Sequence, residues 1–153
     1  MEKKHNRKII DELLMRQNTN IPLDKKLHYS DIIRIAKYIE SSIFVDECCL
    51  WNGYITNYKN VTKGTYINFF FRNKKVALHR LLYNNYTENL QDDEYLKFSC
   101  DNRGKCCNIN HMIKYKYNIG FKLCNKKSKI NKLKNKDIDN KNNNLDDFII
   151  IFD

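Results

Sequence analysis

The stretch that most restricts this chain is "LKFSCDNRGKCCNINHM", residues 96–112, which holds three cysteines and a histidine in seventeen positions. Zinc favours four tetrahedral ligands drawn from cysteine thiolate and histidine imidazole. Cys100-x5-Cys106-x4-His111 supplies three donors close enough to converge on one ion. Cys107 gives x6 and x3 instead, so spacing alone does not choose between Cys106 and Cys107. The fourth ligand must come from elsewhere, and "CCLW" at 48–51 offers Cys48 or Cys49. A ligand from there ties a distant segment to the knuckle, and a closed site of this kind contributes on the order of 10 kcal/mol or more to folding. The competing reading is two pairs of buried thiols acting as small hydrophobes; the ligand spacing favours a metal. Cys124 reads as a free thiol.

Composition decides which compartment and which partner to expect. The formal charge is +10 and the pI near 9.3, which points to a polyanion, most often nucleic acid. Residues 125–153 carry seven Lys against five Asp, so most of the excess lies on residues 1–124. Enrichment in Lys, Asn, Ile and Tyr is also what A/T-rich codon usage produces, so the charge by itself does not settle the matter. No window approaches the roughly twenty apolar residues of a membrane span, and "MEKKHNRKIIDELL" lacks the apolar core of a signal peptide. An intracellular protein is expected, its thiols reduced and free to bind metal.

Three regions follow from periodicity. Residues 1–44 read as an N-terminal helical segment. Ile9, Ile10, Leu13 and Leu14 share one face of a helix over 6–17; a second helix starts with Ser30 as N-cap, presents Ile32, Ile33, Ile35, Ala36 and Ile39, and ends near Ser41–Ser42. Pro22 separates them. These helices are expected to pack into the core, the alternative being an arm that positions DNA. Residues 45–124 form the metal-binding domain, with strands near 53–57, 65–71 and 75–78 in an antiparallel meander. "LHRLLYNNY" reads as a short helix with Leu78, Leu81, Leu82 and Tyr86 inward. "YLKFS" reads as a strand delivering Cys100, and 108–116 as a helix carrying His111 near its start. Residues 125–153 read as a mobile Lys/Asn-rich tail, too polar to offset its ordering entropy. The fold class is α+β.

"CCLWNG", then "ALHRLLY", then "CDNRGKCCNINHM" resembles the zinc-containing HNH family, also called His-Me finger or His-Cys box nucleases. Members commonly read Cys-x-x-Trp-x-x-Gly, then His-Arg before an apolar helix, then His-x-Cys-Asp-Asn and a Cys-x-Asn-Pro-x-His-Leu ending. The likeness spans residues 48–112 with its parts in order. It implies a ββα core, a structural zinc on Cys48, Cys100, Cys106 and His111, and Cys49 and Cys107 as neighbours.

The resemblance also implies a missing catalytic group. Two residues before the first knuckle cysteine the family places the histidine that activates water, with Mg²⁺ stabilising the phosphate. Here that position is Phe98, whose ring has no lone pair. The family's metal-binding Asn lies about nine positions after the last zinc ligand; here Asn118 comes at seven and Gly120 at nine. The expectation is a kept scaffold with a lost base: a DNA-binding protein rather than an enzyme, from a virus or mobile element, placed in a nucleus, viral factory or virion. The alternatives are an active endonuclease using Mg²⁺, with Asn118, Ser99 or His79 in a rearranged site, and a structural subunit of a viral nucleoprotein assembly.

Candidate DNA contacts are Arg72, Lys74, Lys75 and Arg80 around a hairpin tip and helix start, Arg103 and Lys105 in the knuckle, and Lys114 and Lys116 among tyrosines. The apolar run Phe148–Phe152, within 145–153, is an aggregation hazard if free. It is expected to dock on the chain itself, on a second copy or on a protein partner.

Overall fold

In a computed structural model, residues 2–60, 62 and 64–116 are described. The expectations for Asn118, Cys124, the 125–153 tail and the 145–153 segment lie outside them. The described chain is α+β, with three helices and two small antiparallel sheets.

Helix α1 (Glu2–Arg16) buries Ile9 and Leu13 and leaves Leu14 and Met15 to solvent. Helix α2 (Tyr29–Ala36) buries Ile32, Ile35 and Ala36 against it. Its N-cap is His28, not Ser30: the Asp31 carboxylate reaches back to the His28 backbone N–H at 3.0 Å, which a serine at 30 does not do. It also stops at Ala36, short of Ser41–Ser42.

Strands β1 (Asn68–Phe71) and β2 (Lys74–Ala77) form a hairpin with Phe71 opposite Lys74. Arg72 and Asn73 both have positive φ, 48° and 62°, so the two-residue turn has the left-handed geometry whose twist matches the strands. Alternation sends Ile67, Phe69 and Phe71 inward and Asn68 and Phe70 outward. The expected first strand at 53–57 is reduced to one antiparallel bridge, Thr56 to Tyr66, because Asn57 turns left-handed at φ 58° and breaks the extension.

Helix α3 (Leu78–Tyr86) follows at once, with Leu78, Leu81, Leu82 and Tyr86 buried as their spacing requires. Strand β3 (Glu94–Phe98) pairs antiparallel with β4 (Met112–Lys116), Phe98 opposite Met112. The expected helix over 108–116 is therefore wrong. Only one 3₁₀ turn forms, Ile109–His111, closed by the Asn108 side chain accepting from the Asn110 N–H at 2.8 Å. "MIKYK" then extends because β3, distant in sequence, offers it a partner.

One apolar cluster contains Ile9, Leu13, Ile32 and Ile35 together with Ile67, Leu78, Leu82 and Cys107. The N-terminal helices and the cysteine-bearing segment thus share a core, and each fully buried Leu or Ile stabilises it by roughly 1.5–3 kcal/mol. Among the described residues no helix is long and apolar enough to cross a membrane.

Candidate metal centre

The site is assembled from three pieces of chain. Cys48 ends a loop after α2, Cys100 follows β3, and Cys106 and His111 bracket the turn into β4. Backbone pairing decides which cysteine of each doublet faces the site. Leu50 bridges Cys106, the Trp51 N–H donates to Lys105 O at 3.0 Å, and the Cys107 N–H donates to Cys49 O at 2.6 Å. This stitching turns Cys48 and Cys106 toward one another and sends Cys49 and Cys107 into the apolar core. The Cys49 thiol donates to Ser41 O at 3.3 Å, and burial pushes both core thiols up from their ordinary range.

The donor atoms of Cys48, Cys100, Cys106 and His111 all lie within 4.8 Å of one another. His111 Nδ1 is 3.5 Å from Cys48 Sγ and 3.5 Å from Cys106 Sγ. With Zn–S near 2.3 Å and Zn–N near 2.0–2.1 Å, a tetrahedron puts nitrogen and sulfur about 3.6 Å apart. The donors therefore suit one small cation. His111 Nε2 lies 2.9 Å from the Asp46 carbonyl and donates to it, since a carbonyl only accepts. That bond fixes the tautomer and leaves the Nδ1 lone pair aimed at the thiols, the orientation a metal-bound imidazole needs. The Asn108 N–H donates to Cys106 Sγ at 3.4 Å, which favours the thiolate.

Burial by itself acts against ionised thiols. Burial pushes the Cys106 thiol up to about 12, and burial also raises Cys100. Cys48 alone is lowered, chiefly by a hydrogen bond from the Asn102 side chain. A divalent cation reverses this logic by holding the sulfurs as thiolates. These four residues can hold a metal ion.

Two neighbours shape the knuckle. Gly104 sits at φ 73°, and a Cβ there would lie 1.9 Å from the Thr65 carbonyl oxygen, so no other residue fits. Asn108, fully buried, donates through Nδ2 to the carbonyls of Val45 and Glu47 and so holds the Cys48 loop against the turn. Sequence reasoning passes over Asn108; its place between Cys107 and the 3₁₀ turn is the available signal.

The assignment has a direct check. Cys107→Ser and Cys49→Ser should each keep one metal equivalent, although both lose stability by burying a hydroxyl. Cys48→Ser, Cys100→Ser and Cys106→Ser should lose it. Elemental analysis of the purified variants decides the matter; metal loss from Cys107→Ser alone would reverse the assignment.

Phe98 and His79 lie side by side, their rings 4.9 Å apart at 84°. His79 is buried, its Nε2–H donates to Cys106 O at 2.9 Å, and burial lowers its pKa to about 4. It is a neutral strut under the knuckle, shielded from solvent water.

The expected basic contacts divide. Arg80 donates to the carbonyls of Glu94 at 2.7 Å and Gln91 at 3.0 Å, bracing the loop before β3. Lys114 pairs with Glu88 at 2.9 Å and Glu94 at 3.6 Å, and Lys116 pairs with Asp93 at 2.5 Å. Arg72 reaches the Leu23 carbonyl and His28 Nε2. Lys105 lies over the Tyr58 ring at 4.4 Å. Lys74, Lys75 and Arg103 are exposed, without an ion pair among the described residues.

Comparison with protein-family models finds no match, and no solved structure matches the chain. Over 115 residues the chain is 59% identical to an uncharacterized protein, R328, of Acanthamoeba polyphaga mimivirus. The matched stretch covers 74% of this chain and 34% of that relative, so the chain spans about a third of the length of the viral protein it resembles.

Proposed function

We propose that this chain is a zinc-stabilised, catalytically degenerate HNH-like protein that binds DNA in a viral setting. The observation that carries the reading is the Cys48–Cys100–Cys106–His111 cluster, set in a knuckle that opens directly after a strand ending in Phe98. Thiolate-rich tetrahedral donors favour zinc over harder cations. Strands β3 and β4 pair antiparallel on either side of the knuckle, an arrangement compatible with the two strands of a ββα unit. The aromatic Phe98 cannot take a proton from water, and the imidazole beside it is buried and committed to a carbonyl. Loss of a general base typically costs about 10²–10⁴ in rate. The viral relative fits a viral origin.

DNA binding is supported by Lys74 and Lys75 beside the hairpin turn and Arg103 in the knuckle, all open to a phosphate backbone. Supercoiled plasmid with Mg²⁺ or Mn²⁺ should not be nicked above background. Duplex binding should weaken steeply with salt. Replacing Lys74, Lys75 and Arg103 by Ala should flatten the log–log slope by about three, close to one for each phosphate no longer neutralised. Metal-dependent nicking, or an affinity indifferent to salt, would overturn the proposal.

A further inference from the structure

The outward face of the β1–β2 hairpin carries an exposed aromatic side chain beside a lysine. Phe70 is 56% exposed between two buried phenylalanines, and its cross-strand partner is Lys75. The Thr56–Tyr66 bridge lays a third piece of chain along β1, and Asn68 Nδ2 donates to Thr56 Oγ1 at 3.4 Å across the same face. Tyr54, two residues before that bridge, is 81% exposed. At the other end Tyr58 is 57% exposed with the Lys105 ammonium over its ring. Exposed apolar side chains gathered on one face, unlike single ones, mark interaction sites.

Charge selects the partner. From Cys48 to Thr87 the chain carries no Asp or Glu, while Lys59, Lys63, Arg72, Lys74, Lys75 and Arg80 fall within it. A face that combines planar rings, amide and hydroxyl groups and the ammonium groups of Lys75 and Lys105 suits a polyanion that itself carries exposed π faces. Duplex bases are stacked on one another and cannot meet these rings; unpaired bases can.

We infer that Tyr54, Tyr58 and Phe70 form a stacking platform for single-stranded nucleic acid, with Lys75 and Lys105 on its phosphates and Asn68 at base edges. The inference deepens the nucleic-acid reading above and rests on it for the polyanion; the strand state of the ligand is new.

The test uses the full, metal-loaded chain and fluorescence anisotropy with three labelled probes: a 20-nucleotide deoxythymidine strand, a 20-nucleotide uridine strand and a 20-base-pair duplex. Wild type should bind one or both single strands. Tyr54→Ala with Phe70→Ala should weaken that binding at least tenfold and leave duplex affinity within about twofold, since base–aromatic stacking is worth a similar factor per ring. Tyr54→Phe should bind as wild type, because the ring and not the hydroxyl acts. Both side chains are exposed, so melting temperature and metal content should be unchanged. A wild type that binds duplex but neither single strand overturns this inference and leaves the DNA reading standing. Binding to none of the three probes overturns both, and single-strand affinity untouched by the double variant shows that the face serves another partner.

Discussion

Removing the metal from Cys48, Cys100, Cys106 and His111 is expected to abolish the cooperative melting transition of this protein, not merely to lower its midpoint. The four ligands join the loop after α2, the end of β3 and the turn into β4. Between them the sheets are only two strands each, and two-stranded pairings are marginal in water on their own. A structural zinc site contributes roughly 10–16 kcal/mol in isolated zinc-finger peptides, as large as the whole stability of an ordinary domain at about 5–15 kcal/mol. Without a cation the buried thiols revert to their protonated forms, Cys106 most of all. At most one of them at a time can then donate its S–H to the His111 Nδ1 lone pair, a weak contact in place of four metal bonds. Circular dichroism melts with and without a strong chelator, paired with elemental analysis, read the effect directly. A melting curve that keeps its midpoint within about two degrees after complete metal removal would sink the structural-metal reading.

The second large effect is expected far from the metal, at Asn85. This side chain is 0% exposed and makes four hydrogen bonds. Its Oδ1 accepts from the Leu27 N–H and from Gln17 Nε2, both at 2.9 Å. Its Nδ2 donates to Lys25 O at 2.9 Å and to Leu81 O at 2.7 Å. One amide thereby satisfies the backbone between α1 and α2 and clamps it to α3. Asn85→Ala leaves the Leu27 N–H and the Lys25 carbonyl without partners in a closed interior, at about 1–3 kcal/mol for each unsatisfied group, and adds a small cavity. A total of about 4–6 kcal/mol is expected in urea unfolding, enough to leave a marginal domain largely unfolded at physiological temperature. Metal content at low temperature should stay at one equivalent, which separates this defect from damage to the cysteine site. A loss below about 1 kcal/mol would falsify the clamp.

These two positions show where sequence reading succeeds and where it stops. Helix α3 is legible because its apolar spacing is local and strong, and the same spacing places Asn85 four residues after the inward Leu81. An asparagine on an apolar helical face is therefore visible, but the asparagine-rich composition disguises it. Cys48, Cys100, Cys106 and His111 are legible as a set only through a family resemblance. The doublets Cys48–Cys49 and Cys106–Cys107 are chemically identical neighbours, and the strand-like pairing of Leu50 with Cys106 is what separates them. The 108–116 segment misleads because "MIKYK" fits helix or strand when its partner, Glu94–Phe98, is out of view. Residue preference puts the N-cap of α2 at Ser30, whereas Asp31 supplies the capping carboxylate from inside the first turn.

The separation of the ligands along the chain also sets an order of events during synthesis. Cys48 and His111 stand 63 positions apart. At about 5–20 residues per second of translation, Cys48 is made roughly 3–13 s before the imidazole that completes its site. Through that interval Cys48 and Cys49 are a naked thiol pair, exposed to oxidants and to stray metals, while α1 and α2 already have the residues they need to form. Completion of the site then depends on the reducing power and the available metal of the compartment in which the ribosome sits, and chains made without metal should stay without the shared core that joins the N-terminal helices to the knuckle.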